Sequence, residues 1–447
     1  MRKIKTLIFK KLKPIRHEWF LKIKGFEFQK QEKNLKIQEL YLKNIIDYSI
    51  KNIPYYEKIN QEIKIDLSGN IYEEIKKFPI LTKKNLKNNF TELKAVNFKG
   101  NYWENSSGGS TGEPAIFLQD EIFIEKGAGA KLLFEDWAGR NNIEDRLIKL
   151  WGSERDILKG SIGIKAKISN ILNSRKLLNS FMMDEKNMTE YVKIINNFKP
   201  KIIEAYVQSI YELARFIKNN NLIIYSPSGI IVSAGTLYPE MKKEIEDVFQ
   251  TKVLNRYGSR EVGDMACSCE KNEGLHLNIF NHYIEILNKE LKDCGPGEIG
   301  KIYVTTLHNK IMPLIRYDIG DIAVPARSKK CSCGRGMPLI KKVEGREMSM
   351  FKTKEGKLVP GEFFIHFVGV VFNKGYISKY QVIQKDFDEI LIRVVISNRK
   401  MFNNYRAKIE SSILNVMGED CKIEWEFVEE IKPSKSGKYL YTISEIK

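Results

Sequence analysis

The feature that most constrains the fold is an alternation of amphipathic and apolar runs between residues 185 and 259. "MTEYVKIINNFKPKIIEAYVQSIYELARFIKNNN" predicts helix, short strand, helix. "SGIIVSAG" is short, apolar and β-branched, the pattern of a strand buried on both faces. "PEMKKEIEDVFQ" follows as an amphipathic helix with proline in its first turn, and "TKVLNRYGS" as strand and turn. Upstream, "IFIEKGAGAKLLFEDWAG" predicts a helix with a glycine stop and "DRLIKLWGS" a buried strand. Strands joined by helices of this length require a parallel sheet with helical crossovers, so the fold class is α/β.

The pattern changes on either side. Residues 1–100 read as a mainly helical lead-in, broken at Pro54 and with Thr82 as the N-cap of a later helix. After Cys267, "HYIEILN", "GEIGKIYVTTL" and "DIAVPA" predict strands joined by turns, a β-rich subdomain over 265–335. A small α+β unit begins near Gly345, with a hairpin in "YQVIQKDFDEILIRVVI" and a helix near "YRAKIESSILNVM". The expected organisation is a large, multi-subdomain N-terminal α/β domain over 1–345 and a small α+β domain over 346–447.

Charge narrows the partners. The formal net charge of +18 suits nucleic acid, anionic membranes or anionic ligands. Lysines are spread along the whole chain, which favours solvated faces, and none of the usual nucleic-acid motifs is present. No apolar run approaches the roughly 20 residues of a membrane-spanning helix, and no secretory leader is visible, so a cytoplasmic location is expected. The first 25 residues are an exception to the even spread, with nine Lys/Arg against Glu18 alone. They suit either peripheral contact with an anionic membrane or packing on the chain's own body.

Five stretches carry chemistry. "NSSGGSTGEPAIF" packs glycines and hydroxyls that can turn donors toward phosphate oxygens, although a linker has the same composition and the Walker lysine is missing. "RYGSREVGD" places Tyr257, Gly258, Ser259 and Glu261 where a strand ends, the edge at which open α/β sheets bind ligands. "IRYDIGDIA" sets Asp321 after a glycine at a turn, before a strand. "VEGREMSMF" holds Arg346 at the change of composition, and "KPSKSGKYLYTIS" puts Lys438 on a glycine turn.

In this order the five resemble the AMP-forming acyl-ligase superfamily, in its phenylacetate–CoA ligase-like, CapK-like branch. "IPYYEKI", "FPILTKKNL" and "SAGTLYPE" resemble further segments of that branch, so the likeness spans most of the chain. The resemblance implies ATP-dependent activation of a carboxylic acid as acyl-AMP, then transfer to a thiol such as coenzyme A, or to an amine. It implies that Ser106, Ser107, Gly108, Ser110, Thr111 and Gly112 hold the β- and γ-phosphates. Tyr257 and Gly235, with Gly258 and Ser259 beside them, would flank adenine, and Glu261 would hold magnesium. Asp321 and Arg346 would take the ribose hydroxyls, and Lys438 would meet the carboxylate and α-phosphate from a mobile C-terminal domain. Three positions depart from the pattern: Arg260 precedes the glutamate, Met348 stands at the hinge, and Thr236 follows Gly235.

Six cysteines in a chain of this length and location point away from disulfides. Cys269, His276, Cys331 and Cys333 form a Cys3His set suited to tetrahedral zinc, with Cys267 competing with Cys269. The resemblance supports the same set, through "CEKNEGLH" and "CSCGRG". The rival reading is reduced cysteines beside a core histidine. His282 and His308 read as structural histidines. A different class altogether, a basic zinc-containing nucleic-acid-binding protein, would use the charge and the Cys/His set, and predicts steeply salt-dependent binding.

Overall fold

The computed structural model describes residues 2–106, 115–151, 174–180, 183–328, 330–346, 350–356, 358–364, 368, 376–432 and 440–446. They fall into two compact units. The first comprises Met1–Leu237 with Lys242–Val343, and the second Tyr238–Met241 with Glu344–Lys447.

The first unit opens with helices α1 (Arg2–Leu12), α2 (Pro14–Phe26), α3 (Gln31–Asn52), α4 (Pro54–Ile63), α5 (Ile71–Glu74) and α6 (Lys83–Asn88). Local chemistry sets their ends. Ile53 is extended because Pro54 follows it, and Pro54 then starts α4 at a position that needs no N–H donor. Thr82 and Asn85 close a reciprocal capping box at α6. The apolar faces of α3 and α4 pack Leu42, Ile45, Ile46 and Tyr56 into one core with Val304 and Tyr317. Tyr56, fully buried, donates to Pro313 O at 3.0 Å and accepts from Ile315 N at 3.1 Å, so its hydroxyl is satisfied both ways.

The basic N-terminal segment packs on the body. Trp19 and Ile23 of α2 are buried, and Lys13 and Arg16 pair with Glu125 of α7 (Glu121–Trp137) at 2.8 and 2.9 Å. Leu12 and Leu21 stay exposed.

Strands β1 (Tyr102–Ser106) and β2 (Ile116–Asp120) pair antiparallel, with Ser106 opposite Ile116. The glycine–hydroxyl stretch is thus the connection of a two-stranded ladder. Its residues 107–114 lie outside the described residues.

The main sheet has eleven strands. Its parallel part is β3 (Leu147–Trp151), β4 (Arg175–Asn179), β5 (Ile202–Tyr206), β6 (Gly229–Ser233) and β7 (Val253–Ser259), in the order β4-β3-β5-β6-β7. Helices α8 (Glu185–Phe198), α9 (Val207–Asn219) and α10 (Pro239–Phe249) separate these strands along the chain, as the alternation predicts. The antiparallel part adds β8 (Gly263–Ser268), β9 (Leu275–Leu277), β10 (His282–Leu287), β11 (Gly300–Thr306), β12 (Tyr317–Pro325) and β13 (Leu339–Arg346). It continues the sheet as β7-β8-β9-β13-β12-β11-β10. Strand β7 is parallel to β6 and antiparallel to β8.

One expectation is corrected here. Asp321 does not sit between a turn and a strand; it lies inside β12. The register slips between Lys301 and Tyr303 of β11, and Gly320 has φ +79° opposite that slip. The feature is a bulge that glycine makes accessible.

In the second unit, β16 (Ile377–Asp386) and β17 (Glu389–Ile396) form the expected hairpin, after a short pair β14 (Met350–Lys352) and β15 (Leu358–Pro360) and helix α11 (Gly361–Phe364). Helix α12 (Arg399–Met417) buries Phe402, Ile409 and Ile413. Strands β18 (Lys422–Phe427) and β19 (Thr442–Ser444) complete a four-stranded sheet in the order β18-β17-β16-β19.

Candidate active site

Three groups of side chains gather in the first unit. The first is at the end of β7. The ladder to β8 slips between Tyr257 and Gly258, and a Cβ on Gly258 would stand 2.6 Å from the Gly263 carbonyl oxygen. Only glycine permits that approach. Glu261 lies in the turn that follows and is buried. Tyr257 donates from its hydroxyl to Asp321 Oδ2 at 2.8 Å. Four steps of strand order separate β7 from β12, so the sheet must curl to bring these residues together.

A residue that pattern reading missed fixes this turn. Gln119 of β2 donates its amide to the carbonyls of Arg260 and Glu261, at 2.9 and 3.1 Å. Asn105 of β1 donates to Gln119 Oε1 at 3.4 Å. Both strands that flank the glycine–hydroxyl stretch are thereby tied to the glutamate turn. No local signal marks Gln119, because its role is a contact 142 residues away.

Gly235 follows β6, after Ala234 at φ +61°, a left-handed conformation that is costly for alanine. Arg346 ends β13 in the second unit. Ser107, Gly108, Ser110, Thr111, Gly112 and Lys438 lie outside the described residues, whereas Ser106 closes β1. His282 and His308 are buried histidines bonded to the carbonyls of Val262 and Phe280. Burial lowers His282 to about 4, and burial with Lys126 beside it lowers His308 to about 3.

The second group is ionic. Glu204 of β5, fully buried, meets Lys131 of α7 at 2.9 Å, Arg256 of β7 at 2.9 Å and Lys149 of β3 at 3.6 Å. Burial alone would raise the Glu204 carboxyl, but the three cations hold it well below the usual range. Arg256 also lies 3.5 Å from Asp264.

The third group is Cys269, His276, Cys331 and Cys333, whose ligand atoms all lie within 4.8 Å of one another. Cys267 is not among them. Two of the ligand pairs have the spacing of a tetrahedral ion's edges. Cys269 Sγ and Cys331 Sγ are 3.7 Å apart, and Cys333 Sγ and His276 Nε2 are 3.4 Å apart. Zinc bonds of about 2.3 Å to sulfur and 2.0 Å to nitrogen give edges of roughly 3.7 and 3.5 Å. Nδ1 of His276 donates to Met337 O at 3.3 Å, which leaves Nε2 unprotonated toward the sulfurs. Burial lowers His276 to about 4 and keeps the ring neutral. The amides of Lys271 and Arg335 point at Cys269 and Cys333 sulfur, both at 3.4 Å.

Comparison with known proteins follows the same lines. A family model for the CapK C-terminal domain matches residues 351–445. The chain is 26% identical over 436 residues to Protein CapK of Staphylococcus aureus, covering 94% of this chain and 90% of that protein. The chain is similar to CapK-like proteins, in its C-terminal part by the family model and over most of its length by the Staphylococcus protein. A second relative of this CapK-like chain is the phenylacetate-coenzyme A ligase of Thermus thermophilus, 23% identical over 344 residues and 74% of each chain. The fold matches a solved 2-hydroxyisobutyryl-CoA ligase in the postadenylation state, in complex with R3-HIB-AMP. The TM-score is 0.72 at 17% identity, over 94% of the CapK-like chain and 91% of that structure. Its mixed α/β architecture, with a separate C-terminal unit, is therefore that of an acyl-CoA ligase.

Proposed function

We propose that this protein activates a carboxylic acid as its acyl adenylate, releasing pyrophosphate, and then passes the acyl group to a thiol, with coenzyme A as the acceptor. The observation that carries the reading is the Tyr257–Asp321 hydrogen bond beside the Glu261 turn. It sets an aromatic face next to a carboxylate at a sheet end, and a nucleoside needs that pairing: a ring to stack the base and an acceptor for the ribose hydroxyls.

The chemistry assigns the rest. A carboxylate oxygen bonds to the α-phosphorus while the bond to the β-phosphate oxygen breaks and pyrophosphate leaves. Negative charge concentrates in that step, so the protein supplies position and cationic stabilisation. In this reading Ser106, Ser107, Gly108, Ser110, Thr111 and Gly112 hold the β- and γ-phosphates, and Tyr257 and Gly235 flank adenine. Asp321 and Arg346 take the ribose hydroxyls, and Lys438 brings a positive charge to the α-phosphate. Magnesium, where bound, neutralises phosphate charge, and Glu261 is its protein ligand. Support for a thiol acceptor comes from the coenzyme A ligases among the relatives. An amine acceptor is the alternative, and product mass spectrometry with both acceptors decides between them.

We read the Cys3His cluster as a structural zinc site, closed by its own four ligands. Within the described residues no helix is long and apolar enough to cross a membrane. Peripheral contact of residues 1–25 with anionic lipid rests on exposed Leu12, Leu21, Lys10 and Lys11, and vesicle flotation with and without that segment tests it.

The central test is ATP–pyrophosphate exchange over a broad carboxylate panel, with Asp321→Ala and Lys438→Ala as controls. Exchange that depends on the acid and is lost in both variants supports the reading. No exchange with any acid in magnesium-loaded protein overturns it.

A further inference from the structure

The turn that carries Glu261 is held by side chains from elsewhere in the fold. Arg260, Glu261 and Val262 are consecutive, and each of their carbonyls accepts from such a side chain. The Gln119 amide of β2 supplies two of the bonds, at 2.9 and 3.1 Å, and His282 Nε2 of β10 donates the third, at 2.6 Å. Gln119 is buried and uses both amide hydrogens in this way.

The orientation of Gln119 comes in turn from β1. Asn105 stands opposite Phe117 in the ladder, which makes Gln119 its diagonal neighbour on the same face. Asn105 Nδ2 donates to Gln119 Oε1 at 3.4 Å, and Asn105 Oδ1 accepts from Ser106 N at 2.9 Å. An unbroken file of amides thus runs from the Ser106 N–H through Asn105 and Gln119 to the carbonyls of Arg260 and Glu261.

The file joins two pieces that the sheets leave separate. Strands β1 and β2 form a sheet of their own, whereas the β7–β8 turn belongs to the eleven-stranded one. The ladder has a second anchor at its far end, where Asn309 Nδ2 donates to Leu118 O at 2.8 Å and Lys310 N donates to Asp120 Oδ2 at 2.6 Å. Phe117 and Leu118 also belong to the core, so the ladder stays seated without Gln119. Among the described residues, Gln119 is the hydrogen-bonded link between this ladder and the Glu261 turn. Glu261 itself suits a cation. It is 5% exposed, and among the described residues its carboxylate makes no hydrogen bond and no ion pair. A carboxylate that deep calls for a counter-charge.

We propose that Gln119 is a positioning residue that couples magnesium to the nucleotide. It holds the Glu261 turn in register with the strand that ends at Ser106, so that ATP carrying magnesium is favoured over bare ATP. The inference rests on the nucleotide reading of Ser106 and Glu261, and not on which acid or acceptor is used. Bare ATP gains nothing from a carboxylate, so a displaced Glu261 weakens binding of the magnesium complex alone.

Calorimetric titration of the full chain with ATP tests this, once with saturating magnesium and once in metal-free buffer without chelator, which leaves the Cys/His cluster undisturbed. The wild type should bind the magnesium complex more tightly. Gln119→Met keeps the length and removes both donors. It should weaken binding of magnesium–ATP by about tenfold and leave bare ATP within about twofold. In a Glu261→Gln background the same substitution should change neither. A merely structural loss would weaken both forms alike. That result overturns the inference, as does no change in either form or a wild type that binds both forms equally. Should Gln119→Met fail to fold, Asn105→Ala breaks the file one step upstream and leaves the turn carbonyls bonded. It should lower the magnesium preference in the same direction, by about threefold, and an unchanged preference overturns the inference. A Gln119-dependent magnesium preference with no pyrophosphate exchange on any acid leaves the inference standing and removes the acid-activation reading instead.

Discussion

The Tyr257–Asp321 contact yields a prediction that can be worked to a number. Tyr257→Phe removes one hydroxyl and leaves the ring face. A hydrogen bond to a charged group contributes about 1.5–3 kcal/mol when desolvated. Both residues are only half-buried, so the strength of an ordinary hydrogen bond, about 1 kcal/mol, applies. If the hydroxyl orients the carboxylate for ribose, this loss appears in binding, as a rise of about fivefold in KM for ATP with kcat nearly constant. The assay is pyrophosphate exchange at varied ATP and saturating acid. The deciding step is a double-mutant cycle with Asp321→Asn. When Tyr257 acts through Asp321, the double variant is no worse than Asp321→Asn alone. Additive losses would refute the reasoning, as would Tyr257→Phe with unchanged KM.

Three further predictions follow from the same geometry. Glu204→Gln removes a fully buried carboxylate from among three cations and should cost about 3–5 kcal/mol in denaturant unfolding, whereas Lys51→Ala, which breaks an exposed pair with Asp47, should stay within about 0.5 kcal/mol. Protein purified without chelator should hold about one zinc per chain by elemental analysis; Cys333→Ser should lower that content and the melting temperature together, and stable metal-free wild type would contradict it. Lys149 has a folded-state value depressed to about 7 from an ordinary lysine's, so between pH 7 and pH 10 the unfolded chain holds a proton that the folded chain has lost. Stability of the wild type relative to Lys149→Met should therefore rise with pH across that window, and a flat difference would show that Lys149 keeps its proton.

Much of this fold was legible in the sequence because it follows from local rules. Pro54 and Thr82 mark helix starts through φ and capping, and "SGIIVSAG" could only be a strand covered on both faces. The site was legible as residue types, not as contacts. Asp321 looked like a turn residue because a bulge exists only in the register between two strands, which no single stretch records. Gln119 sits inside an ordinary-looking strand. The ionic group left a faint signal: Lys149 and Glu204 each interrupt an otherwise apolar strand, and two such violations at paired positions of adjacent strands are mutual explanations. The choice between Cys267 and Cys269 was also beyond spacing. Cys267 lies within β8 and Cys269 just past its end, and only the latter turns toward His276 and Cys331.

Strand β7 divides the sheet into two territories. On its parallel side lie β3, β5 and β6, with Lys149, Glu204 and the Trp151–Tyr206 ring pair. On its antiparallel side lie β8 and, four steps away, the strand that carries Asp321. Arg256 of β7 bridges the two, 2.9 Å from Glu204 of β5 and 3.5 Å from Asp264 of β8, one residue before Tyr257. A substitution that disturbs this buried bridge is therefore carried from one territory into the other.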